Sequence, residues 1–215
     1  MTIHARALLF DNDGTLVSSL ASVDRCWARW AEEYGITEEF GRVELHGRPA
    51  VEIVAELLPA DVVPEALARI ETLEVEDVPN GGVHLLPGTK DLLDALPADR
   101  WAVVTSATRR LAEARLDAVG ILPKTMVTAD DISRGKPDPE PYLLAARELG
   151  VDPAHCVVFE DAPAGLAAGR AAGMTTVALT TTHQAHELDA DLVVRDLSAL
   201  SVQVSDGGVE ISDRG

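Results

Sequence analysis

Short apolar runs alternate along this chain with stretches whose apolar residues recur at helical spacing, and each short run stops at a polar cluster. Ala5–Phe10 reads as a buried strand ending in Asp11-Asn12-Asp13-Gly14-Thr15, and Trp101–Thr105 as a second ending in Ser106. Cys156–Phe159 is a third, ended by Glu160-Asp161, and Thr175–Leu179 a fourth, ended by threonines; Thr125–Thr128 and Asp191–Val194 are shorter candidates. Helical patterns over Arg109–Val119, Glu140–Leu149 and Ala162–Ala172 separate them. Wholly apolar runs suit strands buried on both faces, and their alternation with helices predicts an α/β fold built on a Rossmann-like parallel sheet. Ligands in such sheets gather outside the carboxyl ends of the strands, where these polar clusters fall.

The segment from Val17 to about Leu86 is too long for a single crossover helix. Val23, Trp27, Trp30 and Tyr34 share one helical face and read as a core stripe. Val51–Leu58 and Pro64–Leu73 read as further helices, the second with Pro in its first turn. Leu86-Pro87-Gly88 punctuates the return. The expected organisation is therefore an α/β core of residues 1–16 and 87–215 interrupted by a small helical domain of residues 17–86. Near the end, Leu200–Ser212 reads as a hairpin turning at Ser205-Asp206-Gly207-Gly208.

Composition narrows the partners. With 36 Asp and Glu against 18 Lys and Arg, the net charge is −18, so nucleic acid and anionic membranes, which are held by clustered cations, are not expected partners. Lysine occurs only as Lys90, Lys124 and Lys136. Any small anionic substrate must be met by a few local cations or a metal ion. No uninterrupted apolar run reaches about 18 residues, so no membrane-spanning helix is expected. No cleavable leader is visible, and two cysteines, Cys26 and Cys156, make no disulfide framework. A cytoplasmic, monomeric enzyme is the expectation, with Cys156 a small buried apolar residue.

Asp11 and Asp13 flank Asn12 directly after a buried strand. Two carboxylates so close imply a bound cation, a shared proton, or environments that separate their pKa values, although Asp, Asn and Gly are also ordinary turn formers. The loop lacks the further oxygen ligands of a calcium-binding helix–loop–helix. Ser106, Lys136 and Glu160-Asp161 are each weak signals alone: an N-cap, a surface cation, acids at a helix start. Their joint order, a hydroxyl, a cation and a carboxylate pair near strand ends, points to convergence on Asp11 and Asp13.

The ordered set FDNDGTL, VVTSAT, RGKPDPEPYL and VVFEDAPAGLAAGRAAG resembles the four motifs of the haloacid dehalogenase-like hydrolase superfamily over nearly the whole chain. LHGRPA, LPGTKDLL and WAVVTSATR further resemble its sugar and polyol phosphate phosphatases, whose insertion after the first motif is a helical cap. The resemblance implies a Mg²⁺-dependent phosphatase acting on a small phosphorylated sugar or polyol. Asp11 would be the nucleophile, forming an aspartyl-phosphate, and Asp13 the acid that protonates the leaving alkoxide. Mg²⁺ would be held by Asp11, the Asp13 carbonyl and Asp161, with Glu160 as a supporting or alternative ligand. Ser106, Ala107 and Lys136 would hold the phosphoryl group, Lys136 also offsetting the carboxylates. In the cap, His46, Gly47 and Arg48 would meet the substrate. Rival readings are a phosphoglycolate phosphatase or another small phosphomonoesterase, and a non-catalytic sensor of a phosphometabolite.

Asp13 disfavours dehalogenase and phosphonate chemistry, whose representatives lack an acid there, and the absence of any lysine before Lys90 argues against a phosphonate hydrolase or a phosphoglucomutase. Two departures stand out. Asn12 replaces a usually apolar residue and is expected to point away from the nucleophile, with little chemical effect. Ser18-Ser19 stands where many relatives carry an acid first. Glu71, Glu74, Glu76 and Asp77 form an acidic run, read either as a solvated hinge face or as a contact for a polyhydroxyl ligand.

Overall fold

A computed structural model describes residues 2–43, 45, 50–205 and 207–214. The chain opens with β1 (Thr2–Ala5), β2 (Ala7–Phe10) and the short β3 (Val17–Ser18). Four helices follow: α1 (Leu20–Tyr34), α2 (Thr37–Phe40), α3 (Ala50–Leu57) and α4 (Val63–Asp77). After β4 (His84–Leu85) come α5 (Thr89–Asp94), β5 (Trp101–Val104), α6 (Arg109–Ala118) and β6 (Met126–Val127). The remainder comprises α7 (Glu140–Leu149), β7 (Cys156–Glu160), α8 (Pro163–Ala171), β8 (Thr175–Leu179) and β9 (Leu192–Val194), then β10 (Leu200–Ser205) and β11 (Gly208–Asp213).

Six strands form one parallel sheet in the order β6-β5-β2-β7-β8-β9. β2 lies inside it, with Phe10 opposite Val103 on one side and Phe159 on the other. The chain runs outward from β2 first through β5 to β6, then through β7 to β9. The order therefore reverses at β2, and the loop after Phe10 opens into the crevice where open α/β sheets bind ligands. Every residue of β2, β5 and β7 is buried, which explains why these strands are apolar except for Glu160 at the end of β7. Side-chain alternation divides them: Leu8, Phe10, Val103 and Phe159 pack on one face, Leu9, Val104 and Val158 with Tyr142 and Ala145 of α7 on the other. The Phe10 and Phe159 rings stack at 4.7 Å. Truncating either to Ala would cost about 3–5 kcal/mol.

The run Ala5–Phe10 is not one strand. The chain bends at Arg6, and Thr2–Ala5 pairs antiparallel with β11, which pairs in turn with β10 of the expected hairpin. The burial pattern gives the reason. Ile3 and Ala5 are buried while Thr2 and His4 are exposed, the period-two signature of a sheet covered on one face.

The helices α1–α4 enclose a core of their own around Trp27, Trp30, Ile53, Ile70 and Leu73, and the Trp30 indole donates to the Ala66 carbonyl at 3.0 Å. Val23 and Tyr34 pack at its margin. The two passages between this helical insertion and the sheet run side by side, with Val17 opposite Leu85 and Ser18 opposite His84. The Leu16 carbonyl accepts from both the Leu86 amide and the Thr89 hydroxyl. Cys26 and Cys156 are both buried free thiols, each pushed up to about 11 chiefly by burial. No helix among the described residues is long and apolar enough to cross a membrane.

Candidate active site

Asp11 is the first residue after the inner strand β2, and its amide still donates to Phe159 O across the ladder. The chain then turns tightly: the Asn12 carbonyl accepts from the amides of Thr15, Leu16 and Val17. Gly14 sits at φ +88°, and a Cβ there would lie 2.1 Å from Asp161 Oδ2. Only glycine lets the two loops approach so closely. β5 and β7 flank β2, so Thr105-Ser106 and Glu160-Asp161 emerge on either side of Asp11.

Lys136 crosses from the segment before α7 and enters this cluster with its side chain buried. Its ammonium donates to Asp11 Oδ1 at 2.6 Å, to Glu160 Oε1 at 2.6 Å and to the Val104 carbonyl at 2.9 Å. Burial opposes its charge, but Asp11 and Glu160 outweigh that and hold its pKa above the ordinary lysine value. Glu160 spends Oε1 on Lys136 and Tyr142 and Oε2 on the Asp161 and Ala162 amides. A Cβ at Gly165 would lie 1.8 Å from its carboxylate. With both oxygens engaged, Glu160 orients Lys136 at the floor of the cleft, which it also lines.

One lysine does not neutralise this group. Asp11, Glu160 and Asp161 offer carboxylate oxygens within 4.8 Å of one another. Burial first, then Glu160, pushes Asp161 up to about 7, and burial raises Asp11 well above the carboxylate range despite Lys136. A crowded set of hard oxygen donors with surplus negative charge fits a small divalent cation. Thr182 Oγ1 donates to Asp161 Oδ2, and Thr181 Oγ1 to the Gly14 carbonyl, so the loop after β8 holds two of the other loops.

Asp13 faces the other way. Its Oδ1 accepts from Ser19 at 2.6 Å, and its Oδ2 from Arg115 at 3.0 Å and from Asn12 at 3.2 Å. Asn12 is fully buried, and its amide donates to the Asp13 carboxylate rather than to Asp11. Ser19, whose place in the sequence had no explanation, has one here. Of the acidic run, Glu76 is exposed as a solvated face requires, but the other three are engaged within the protein. Glu74 is buried against Arg115 at 3.2 Å, Glu71 accepts from Thr108 at 2.9 Å, and Asp77 accepts from Ser22 and Arg25. These three tie helices together.

A cleft of about 530 Å³ runs between the sheet ends and the insertion, lined by Asp11, Asp13, Ser106, Ala107, Lys136 and Asp161 below and by Trp27, Glu52 and Ile53 above. His46, Gly47 and Arg48 lie outside the described residues. Arg115, Tyr142 and Thr182 escaped sequence reasoning, and Glu74 was noted only as part of the acidic run. Arg115 left a trace, since it falls on the apolar face of α6 with Leu111, Ala112 and Leu116, where an arginine needs buried partners. Tyr142 left none, being an ordinary core residue until Glu160 is placed beside it.

Residues 5–173 match the family model for haloacid dehalogenase-like hydrolases. Hexitol phosphatase A of Escherichia coli (strain K12) is 36% identical over 211 residues, covering 96% of this chain and 98% of its own. Glycerol-1-phosphate phosphohydrolase 2 of Saccharomyces cerevisiae is 34% identical, with 94% of this chain and 86% of its own covered. Among solved structures, CbbY from Rhodobacter sphaeroides in complex with phosphate superposes with a TM-score of 0.75 at 25% identity, covering 90% of this chain and 95% of its own.

Proposed function

The chain belongs to the haloacid dehalogenase-like hydrolase family, and from that premise we propose that it is a phosphomonoesterase acting on a small phosphorylated sugar or polyol, with Mg²⁺ as cofactor. The observation that carries this reading is the triad of contacts around Lys136. A buried ammonium bridges Asp11 and Glu160 at 2.6 Å each at the floor of the cleft, beside a third carboxylate, Asp161. The relatives named for hexitol and glycerol phosphates support the substrate class.

The chemistry divides between two acids. Asp11 attacks phosphorus and the bond from phosphorus to the substrate oxygen breaks, giving an aspartyl-phosphate and an alkoxide that takes its proton from Asp13. Asp13 then accepts a proton from a water that attacks phosphorus, releasing phosphate and restoring Asp11. Lys136 and Ser106 steady the phosphoryl oxygens, and Lys136 balances the charge that builds there. The Asp11 and Asp161 carboxylates and the Asp13 carbonyl would hold Mg²⁺, which would supply further neutralisation of the phosphoryl group. The Ser19 hydroxyl at Asp13 Oδ1 either donates or accepts, so the same contact serves the acid and its conjugate base. Residues 17–86 act as a cap over the cleft, and its His46, Gly47 and Arg48 are the residues we assign to substrate binding from the sequence.

Release of inorganic phosphate across a panel of hexitol, glycerol, hexose and glycolate phosphates with Mg²⁺ tests the function. Turnover is expected on polyol or sugar phosphates and is abolished, below roughly 10⁻³ of wild type, by Asp11→Asn with the fold retained. Preference for phosphoglycolate would overturn the substrate class. No phosphate release from any member would overturn the enzyme.

A further inference from the structure

Arg115 joins the two parts of the molecule at the site, and nothing in the mechanism above uses it. It sits in the last turn of α6, its side chain 5% exposed, with Nη1 3.0 Å from Asp13 Oδ2 and Nη2 3.2 Å from Glu74 Oε1. Asp13 belongs to the loop after β2, and Glu74 to α4 of the helical insertion. One turn before Glu74, Glu71 accepts from Thr108, the N-cap of α6, so α4 meets α6 through two polar contacts on the same side. Glu74 is itself buried, and its pKa is raised above the ordinary glutamate value, burial outweighing Arg115. A carboxylate held there without the guanidinium would be strongly unfavourable.

We propose that Arg115 is a positioning residue that couples the docking of the cap to the orientation of Asp13. The planar fork reaches both carboxylates at once, so α4 cannot leave α6 without withdrawing Glu74 from one arm and loosening the hold of the other on Asp13. With Oδ2 pinned by Arg115 and Asn12, Oδ1, whose one partner among the described residues is the rotatable Ser19 hydroxyl, is the oxygen that presents a proton to the leaving group. Closure over a substrate and alignment of the acid then form one event, a gating role for a residue placed to touch no substrate. The proposal rests on the reading of Asp13 as the acid.

The test compares two phosphate esters and two variants in the Mg²⁺-loaded protein. kcat/KM covers the steps up to departure of the alcohol, so it reports acid catalysis without the later hydrolysis. Arg115→Lys keeps the charge but cannot fork. It is expected to lower kcat/KM on glycerol 1-phosphate roughly tenfold more than on p-nitrophenyl phosphate, whose leaving group needs little protonation. An equal loss on both esters would overturn the positioning role. Glu74→Gln should also lower kcat/KM on glycerol 1-phosphate, and the double variant should be no worse than Arg115→Lys alone, because both act through one contact. Losses that multiply to within about twofold would overturn the coupling. Should Arg115→Lys fail to fold, Glu74→Gln alone must reproduce the difference between the esters or the proposal falls. Wild-type protein inert on both esters would instead remove the phosphatase reading itself.

Discussion

The two acids of the first loop lie two residues apart, yet they belong to different parts of the molecule. Asp11 is held from below by groups that the parallel sheet delivers: Lys136, Glu160 and Asp161 stand at or beside the ends of adjacent strands and are buried with them. Asp13 is held from the side by groups that straddle a seam: Ser19 at the entrance to the insertion, and Arg115 on α6 in contact with α4. Strand ends are rigid because the ladder fixes them. A seam between two hydrophobic cores is fixed only by the contacts across it. The difference suits the two tasks, since a nucleophile and its charge partners gain from preorganisation, while an acid tied to the cap acts when the site is covered.

The largest effect should come from breaking the rigid side. Lys136→Met should lower kcat/KM by about 10²–10³-fold, the scale for losing one preorganised donor. It should also destabilise the metal-free fold by about 3–5 kcal/mol, because Asp11 and Glu160 would face each other unpaired. A variant with wild-type kinetics would remove the distinction between the two regions.

The same cluster sets a pH dependence. The folded Asp161 titrates near 7 against an ordinary value of 3.8, so between those limits the folded chain binds a proton that the unfolded chain has lost. Its contribution to stability is present below about pH 4 and lost as pH rises through 7. Thermal melts in chelator should therefore shift downward over that range, and millimolar Mg²⁺ should flatten the trend at neutral pH. A melting curve insensitive to Mg²⁺ would argue against the cation site.

On the seam, effects should be smaller. Ser19→Ala removes one hydrogen bond to Asp13 and should lower kcat/KM by about 3–10-fold, with KM little changed, since it orients the acid rather than binds phosphate. Thr108→Val removes both the N-cap of α6 and the contact to Glu71. It should cost about 1 kcal/mol in denaturant unfolding, with less than about threefold change in turnover. If Thr108→Val costs as much activity as Lys136→Met, the seam is as tightly organised as the sheet ends, and the contrast fails.

Legibility in the sequence followed the same division. The apolar strands, their order and the polar residues at their ends were readable, because a strand buried on both faces needs an unbroken apolar run and a Gly-bearing turn must close it. Asp161 stood out as a strand-end carboxylate for that reason, and Lys136 as a lone cation in the motif preceding α7. The strand Thr2–Ala5 was absorbed into its neighbour, since six residues with one bend look like one strand until β11 is paired against the first part. Glu71 and Glu74 looked like a solvated acidic face. Which of the run's four acids is buried depends on what packs against it, and α6 lies about forty residues further along the chain.

By itself, then, the sequence determined the α/β core, the place of the helical insertion and the set of groups at the strand ends, because local period and strand-end position are properties of the chain alone. The tertiary structure decided which charges pair: Lys136 with Asp11 and Glu160, Arg115 with Asp13 and Glu74. A buried charge is tolerated only beside its partner, and partners 24 to 125 residues apart meet only when the sheet and the seam have formed.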